Sequence, residues 1–283
     1  MKVFHYTSGQ GLFGIANSNE LHCSNIKFMN DSSEELYAEQ VLHEFLSDSE
    51  RGQKLYEKFY NQTYHDVILY PGDKFVTSFC KESDSLSMWN YYASGNGYNL
   101  EFDLQEIINF NKKYGISIKL VEMVYNKNDQ SDLFNSLLEK SEKKASEYDN
   151  LEELKNSAKD ANRYREIAHA QDAISESFNN ELSEILLSFK HPAYEREQEV
   201  RLIVSVLPWF LDDLNNTNFK VSTSGVFVEY LTLKLDISNM LKSVTVHPLN
   251  GEFHKSGANK FLLTKREGKP VDVKVSCIPF REV

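Results

Sequence analysis

The run Glu195-Arg196-Glu197-Gln198-Glu199-Val200-Arg201 carries the most pronounced chemistry in the chain. Read as a strand, residues two apart share a face, which groups Glu195, Glu197, Glu199 and Arg201 and turns Val200, Leu202 and Val204 to the core. Three carboxylates beside one arginine repel one another at neutral pH unless cations, donors or a charged ligand occupy that face, so such a face suits a cleft. A fixed carboxylate in a cleft stabilises positive charge developing on a sugar, as in glycoside hydrolysis. Glu199 is the candidate for that role. Glu197 can orient or deprotonate an acceptor, and Arg201 can pair with Glu199 or hold a phosphate. The competing reading is an exposed edge-strand face balanced by Arg196 and Arg201.

Other residue types with chemical potential are His5, Tyr6, Thr7 and Ser8 at the start, Thr77 and Ser78 on a strand, and the aromatics Trp89, Tyr91 and Tyr92. Trp89 and Tyr92 lie three apart on one helix face, which is ordinary packing spacing. Ser78 lacks the G-x-S-x-G elbow of a serine hydrolase. His22, His247 and His254 have no ligand spacing such as H-E-x-x-H, so no metal is expected. Gly9-x-Gly11-x-x-Gly14 fits G-x-G-x-x-G between a strand and a helix, but no acidic residue closes a second parallel strand after it. These glycines read as turn and helix-packing residues, with a phosphate contact as the alternative.

The elements that must position these side chains follow from periodicity. Val3–Thr7 reads as a strand, then a helix carrying Leu12, Phe13, Ile15 and Ala16 and ending at 17–19, then a strand at Leu21–Ser24. A loop at 29–31 precedes a helix capped by Asp31 or Ser32, and a second helical piece spans Leu55–Tyr64. After a turn at 71–73, Lys74–Cys80 is a strand. Asp84 is the expected N-cap of a helix over Ser85–Ala93, followed by a strand at Tyr98–Phe102, a helix at Leu104–Phe110 and a strand at Ile116–Tyr125. From 131 to 190 Pro and Gly give way to Lys, Glu, Asn, Ser and Ala with apolar residues at helical spacing, predicting two or more long helices. Strands return at Glu195–Val206, Gly225–Leu235, Ser243–His247 and Val271–Ile278. Strands that do not alternate with helices argue for a single α+β domain with a helical insertion at 131–190, and against a doubly wound parallel sheet.

Composition narrows the partners. The balance of 31 Lys+Arg against 42 Asp+Glu gives a net charge of −11, which disfavours broad electrostatic binding to nucleic acid. Aromatics at 12% rule out a solvating acidic tail. Cys23, Cys80 and Cys277 form no even disulfide set and no C-x-x-C site, so a reducing compartment is expected. Without a secretory signal or an 18-residue apolar window, the expected location is the cytoplasm, with no membrane contact. The charged helices of 131–190 read as a solvated face, or alternatively as a surface for a protein partner.

Five ordered motifs carry a resemblance: His5-Tyr6-Thr7-Ser8, the F-x-N-D loop ending at Asp31, Asp84-Ser85-x-x-Met88-Trp89-x-x-Tyr92-Ala93, Glu197-x-Glu199-x-Arg201-Leu202 and Ile278-Pro279-Phe280-Arg281. Together they resemble an uncharacterised bacterial family of domains of unknown function, and more distantly the ADP-ribosyltransferase superfamily. That resemblance implies a split mixed or antiparallel sheet and NAD as substrate, without a metal. It further implies His5 at the adenosine-side ribose, an aromatic among Trp89, Tyr91 and Tyr92 over the nicotinamide, and Glu199 at the nicotinamide-side ribose, with Tyr6, Thr7, Ser78 and Arg201 in the same binding region. Transfer of ADP-ribose to a protein or nucleic-acid acceptor follows from it, in a toxin or antiphage role. The alternatives are hydrolysis of NAD or another nucleotide, and a non-catalytic partner-binding module.

Overall fold

A computed structural model describes residues 1–28, 33–60, 74–93, 95–146, 161–205, 218–222 and 225–279. The expected loop at 29–31, the cap at Asp31 or Ser32, the end of the second helical piece at 61–64, the turn at 71–73, Val206, and Phe280 with Arg281 lie outside these residues. In chain order the elements are β1 (Lys2–Thr7), α1 (Gly9–Ser18), β2 (Glu20–Asn25), α2 (Ser33–Asp48), α3 (Glu50–Phe59), β3 (Lys74–Cys80), α4 (Leu86–Tyr92), β4 (Tyr98–Asp103), α5 (Leu104–Lys112) and β5 (Ile118–Glu122). They continue with α6 (Lys127–Ser146), α7 (Ala161–Ser188), β6 (Glu199–Ser205), β7 (Asn218–Val221), β8 (Phe227–Lys234), α8 (Ile237–Met240), β9 (Ser243–Val246), α9 (Glu252–Lys265) and β10 (Asp272–Val275). No described helix is long and apolar enough to cross a membrane.

The chain divides into two compact units. The first takes 1–29, 72–123 and 193–283 and holds every strand named above; the second takes 30–71 and 124–192 and is helical. The helical part is thus wider than 131–190, because α2 and α3 join α6 and α7. Its core packs Tyr37, Val41, Phe59, Phe134, Leu138, Phe178, Leu182 and Phe189. Buried Gln130 ties it internally: its Oε1 accepts from Tyr37 Oη at 3.1 Å and its Nε2 donates to the Val124 carbonyl at 2.8 Å.

The first unit is α+β around one mixed sheet, ordered β10-β9-β4-β1-β3-β2-β8-β7, with β6 on the other edge of β3 and β5 beyond it. Among the described strands of the sheet, β9 and β10 are the one pair that runs parallel. The sheet branches at β3. On one edge β3 pairs along its whole length with β6, from Lys74↔Ser205 to Cys80↔Glu199. On the other edge β1 meets it at Phe4↔Cys80 and β2 at Ser24↔Val76 and Asn25↔Phe75, so neither strand's register reaches Ser78.

Register then fixes the faces, because paired residues share one and neighbours along a strand alternate. One face carries Val3, Phe75, Phe79, Leu100, Phe102, Val200, Leu202 and Val204, which form the main core with Leu12 and Ile15 of α1 and Ile107 of α5. The opposite face carries Phe4, Tyr6 and Cys80, packed with Met88 and Trp89 of α4 and with Ala93. α1 begins at the Ser8 N-cap, whose Oγ accepts from Gly11 N, and ends with Asn19 in the left-handed conformation. A Cβ at Gly11 would lie 1.9 Å from Thr7 Oγ1, so this glycine is where helix and strand approach closely.

Candidate functional site

The strand expected over 195–206 begins only at Glu199. Residues Pro192–Glu197 form a 3-10 turn, and Gln198 follows at φ 40°. Proline has no N–H to give a ladder, and a left-handed residue cannot continue a strand. The shared face of Glu195, Glu197 and Glu199 is therefore corrected: Glu195 lies on the turn, and only Glu199 and Arg201 share a strand face.

Neither face of β6 is open. Glu199 is 6% exposed and Arg201 2%. Glu199 Oε1 accepts from Arg201 Nε at 2.7 Å and Oε2 from Nη2 at 2.9 Å, a two-pronged carboxylate–guanidinium pair whose parallel geometry matches the two planar groups. Of the two roles open to Arg201, pairing with Glu199 is the one observed. Directly across β3 sit Ser78, opposite Arg201, and Cys80, opposite Glu199. The Ser78 hydroxyl is buried without a hydrogen-bond partner.

Glu197 approaches the same place from the turn. It is 5% exposed and accepts from Tyr92 Oη at 3.0 Å, whereas Tyr92 is 42% exposed. The Cys80 thiol is pushed up to about 11, first by burial, partly offset by a bond from the Glu82 N–H, and further by the negative charges of Glu82, Glu197 and Glu199. Glu199 is the register partner of Cys80, and the charge of Glu197 acts on the same thiol. The rim carries the Lys81–Glu122 ion pair and Gln198 Nε2 donating to Glu82 Oε1 at 2.9 Å.

The remaining expected site residues divide differently. His5 falls on the face opposite Glu199, with its ring 5.6 Å from that of Phe79. Its Nδ1 lies 3.1 Å from the Ser78 carbonyl, which can only accept, so the imidazole supplies a hydrogen bond where β1 and β2 part. Burial lowers its pKa, the Ser78 bond opposing and Lys220 reinforcing that shift. A groove shared by His5 and Glu199 is not formed. Thr7 shares the His5 face and packs on Gly11.

Tyr6 and Trp89 are built into the core. Tyr6 Oη donates to the Glu82 carbonyl at 3.1 Å and accepts from Ser85 N at 2.9 Å. Trp89 is 0% exposed and packs edge-on against Tyr6 at 4.9 Å and His247 at 5.3 Å. Its Nε1 donates to Asp84 Oδ1 at 2.6 Å. Sequence reasoning treated Asp84 as a helix cap; Ser85 occupies that position instead. Asp84 holds Trp89 and accepts from Ser276 Oγ at 2.6 Å and Cys277 N at 2.9 Å. Its spacing of five to Trp89 inside the Asp84–Ala93 motif was the available signal. Of the three aromatics, Tyr92 donates a hydrogen bond to Glu197. Among the described residues no three His, Cys, Asp or Glu side chains gather as a metal ion requires.

Residues 88–202 match the model of a family described as "Protein of unknown function (DUF2971)". The match takes in most of α4 and the Glu197–Leu202 segment and leaves out His5–Ser8 and Ile278–Arg281, so over that stretch the chain is similar to an uncharacterised family. No curated protein and no solved structure matches.

Proposed function

We propose that the sheet-bearing unit binds NAD and cleaves its nicotinamide–ribose bond, passing ADP-ribose to a macromolecular acceptor in the manner of the ADP-ribosyltransferase superfamily; the setting would be a toxin or antiphage effector. The observation that carries the reading is a buried carboxylate, Glu197, reached through the half-exposed phenol of Tyr92 beside the Glu199–Arg201 pair. When the bond from ribose C1′ to nicotinamide breaks, the electron pair leaves with nicotinamide and positive charge develops on the sugar. A carboxylate held in a water-poor site stabilises that charge selectively in the transition state. Glu197, which the exposed Tyr92 links to the surface, is the carboxylate assigned to the sugar, and Tyr92 positions it and offers a ring face to nicotinamide. The acceptor then attacks C1′ and loses its proton to solvent or to Glu197.

The test is nicotinamide release by purified protein. Wild type is expected to release it, and Glu197→Gln to lose about 100-fold in rate, the scale of removing one transition-state contact. Equal rates would remove Glu197 from the mechanism. A second reading, a partner-binding module without catalysis, is favoured by the burial of Trp89 and the engagement of Glu199 by Arg201. Calorimetry separates the two: no heat with NAD at millimolar concentration supports the module and overturns the enzyme.

A further inference from the structure

A second cluster lies at the other end of the same sheet and is independent of the NAD reading. β7 pairs with β8 through Lys220↔Val228, and β8 with β2 through Tyr230↔Ser24 and Thr232↔His22. Alternation puts Lys220, Tyr230 and His22 on one face. There the His22 and Tyr230 rings stack at 4.0 Å with 26° between planes, and Lys220 Nζ stands 5.7 Å from the Tyr230 ring centre. His22 is exposed and Lys220 and Tyr230 are half-buried.

The ammonium of Lys220 has no carboxylate partner among the described residues. Glu20, the acid nearest in sequence to His22, pairs with Lys234 instead. Burial lowers the Lys220 pKa, with the buried Cys23 thiol opposing that shift. Its charge adds to burial in lowering the pKa of His22, against the opposing charge of Glu20, and that of His5, against the Ser78 bond. A desolvated cation beside a flat aromatic shelf is what a phosphate attached to a planar ring would complement: oxyanion on the ammonium, ring on the exposed imidazole face.

We propose that Lys220, His22 and Tyr230 form a binding site for a nucleotide, with Lys220 Nζ on the phosphate oxygens and the base laid on His22. Along β6-β3-β2-β8-β7 the sheet separates Lys220 from Glu199 by four strand spacings, roughly 19 Å at about 4.8 Å each, so this site is distinct from the carboxylates.

The experiment is calorimetry at low ionic strength with AMP, adenosine and inorganic phosphate, on wild type, Lys220→Gln and His22→Ala, with thermal melts confirming that each variant is folded. AMP is expected to bind wild type at least about tenfold tighter than adenosine, and Lys220→Gln to lose at least about tenfold toward AMP. His22→Ala is expected to weaken AMP and leave inorganic phosphate unchanged. No heat with AMP, adenosine binding as tightly as AMP, or unchanged AMP affinity in Lys220→Gln would each overturn the site. AMP has no nicotinamide and Glu197 lies outside the cluster, so failure here leaves the nicotinamide-release test standing, and the reverse holds.

Discussion

Replacing Glu199 by Gln perturbs the buried pair in the least disruptive way, since size and shape stay and only the charge is lost. In the native protein the carboxylate meets two Arg201 donors at 2.7 and 2.9 Å, with both side chains almost fully buried. The amide keeps one acceptor and points an NH2 group at a guanidinium that has no acceptor, leaving a positive charge at 2% exposure without this counter-ion. Breaking one side of a buried pair costs about 3–5 kcal/mol. In a domain of 150–250 residues each kcal/mol moves the melting temperature by about 2–4 °C, so Glu199→Gln should melt roughly 6–20 °C below wild type by differential scanning calorimetry. The double variant Glu199→Gln with Arg201→Met removes both charges of the pair and should recover most of the loss, because apolar replacement of a whole buried pair is often neutral. A single variant melting within about 1 °C of wild type, or a double variant no better than the single, would refute the assignment of this pair as a structural tie of the sheet.

Three further expectations follow from the same geometry. Trp89→Phe loses the 2.6 Å bond to Asp84 and leaves a half-buried carboxylate short of a donor, so urea denaturation should show a loss of about 2–3 kcal/mol; an unchanged midpoint would exclude the tie. Gly11→Ala should destabilise by about 1–3 kcal/mol through the Thr7 clash, while Gly14→Ala, with open space around its Cβ, should stabilise by about 0.5–1 kcal/mol; equal effects would contradict the packing role. Burial lowers the folded His5 pKa below its unfolded value near 6.5, so its contribution is complete above about pH 6.5 and falls as pH drops below it, by at most about 1.4 kcal/mol per pH unit. His5→Gln should flatten that part of the pH 7.5-to-5.5 stability slope, and an unchanged slope would assign it elsewhere.

Much of the sheet was legible because its strands are short apolar runs bounded by turn residues. Lys74–Cys80 agrees end to end, and Tyr98, Leu104 and Ser243 begin their elements where periodicity puts them. The long strand at 195–206 was misread because alternation of charge looks the same on a strand as on a turn that precedes one. Pro192 was the warning, and the left-handed Gln198 could not be foreseen. Helix Glu252–Lys265 went unseen because Ala258 and Leu262 are its buried residues and Gly251 and Gly257 weaken the pattern. For the site, the charged run Glu195–Arg201 stands out in the sequence, but the turn that takes Glu197 off the strand does not, and the separation of His5 from Glu199 depends on long-range register between β1, β3 and β6, which a single strand's sequence does not encode.

Both passages of chain into the helical unit leave from one strand and come back to its antiparallel neighbour: Asn25 ends β2 opposite Phe75 of β3, and Glu122 ends β5 opposite Val200 of β6. Each excursion is topologically an oversized hairpin loop. Such loops can grow or shrink at small entropic expense, about 0.6 kcal/mol per doubling of length, without altering a single pairing in the ladder. The sheet's pairings can therefore stay as they are while the length of chain that hangs from those two hairpins changes.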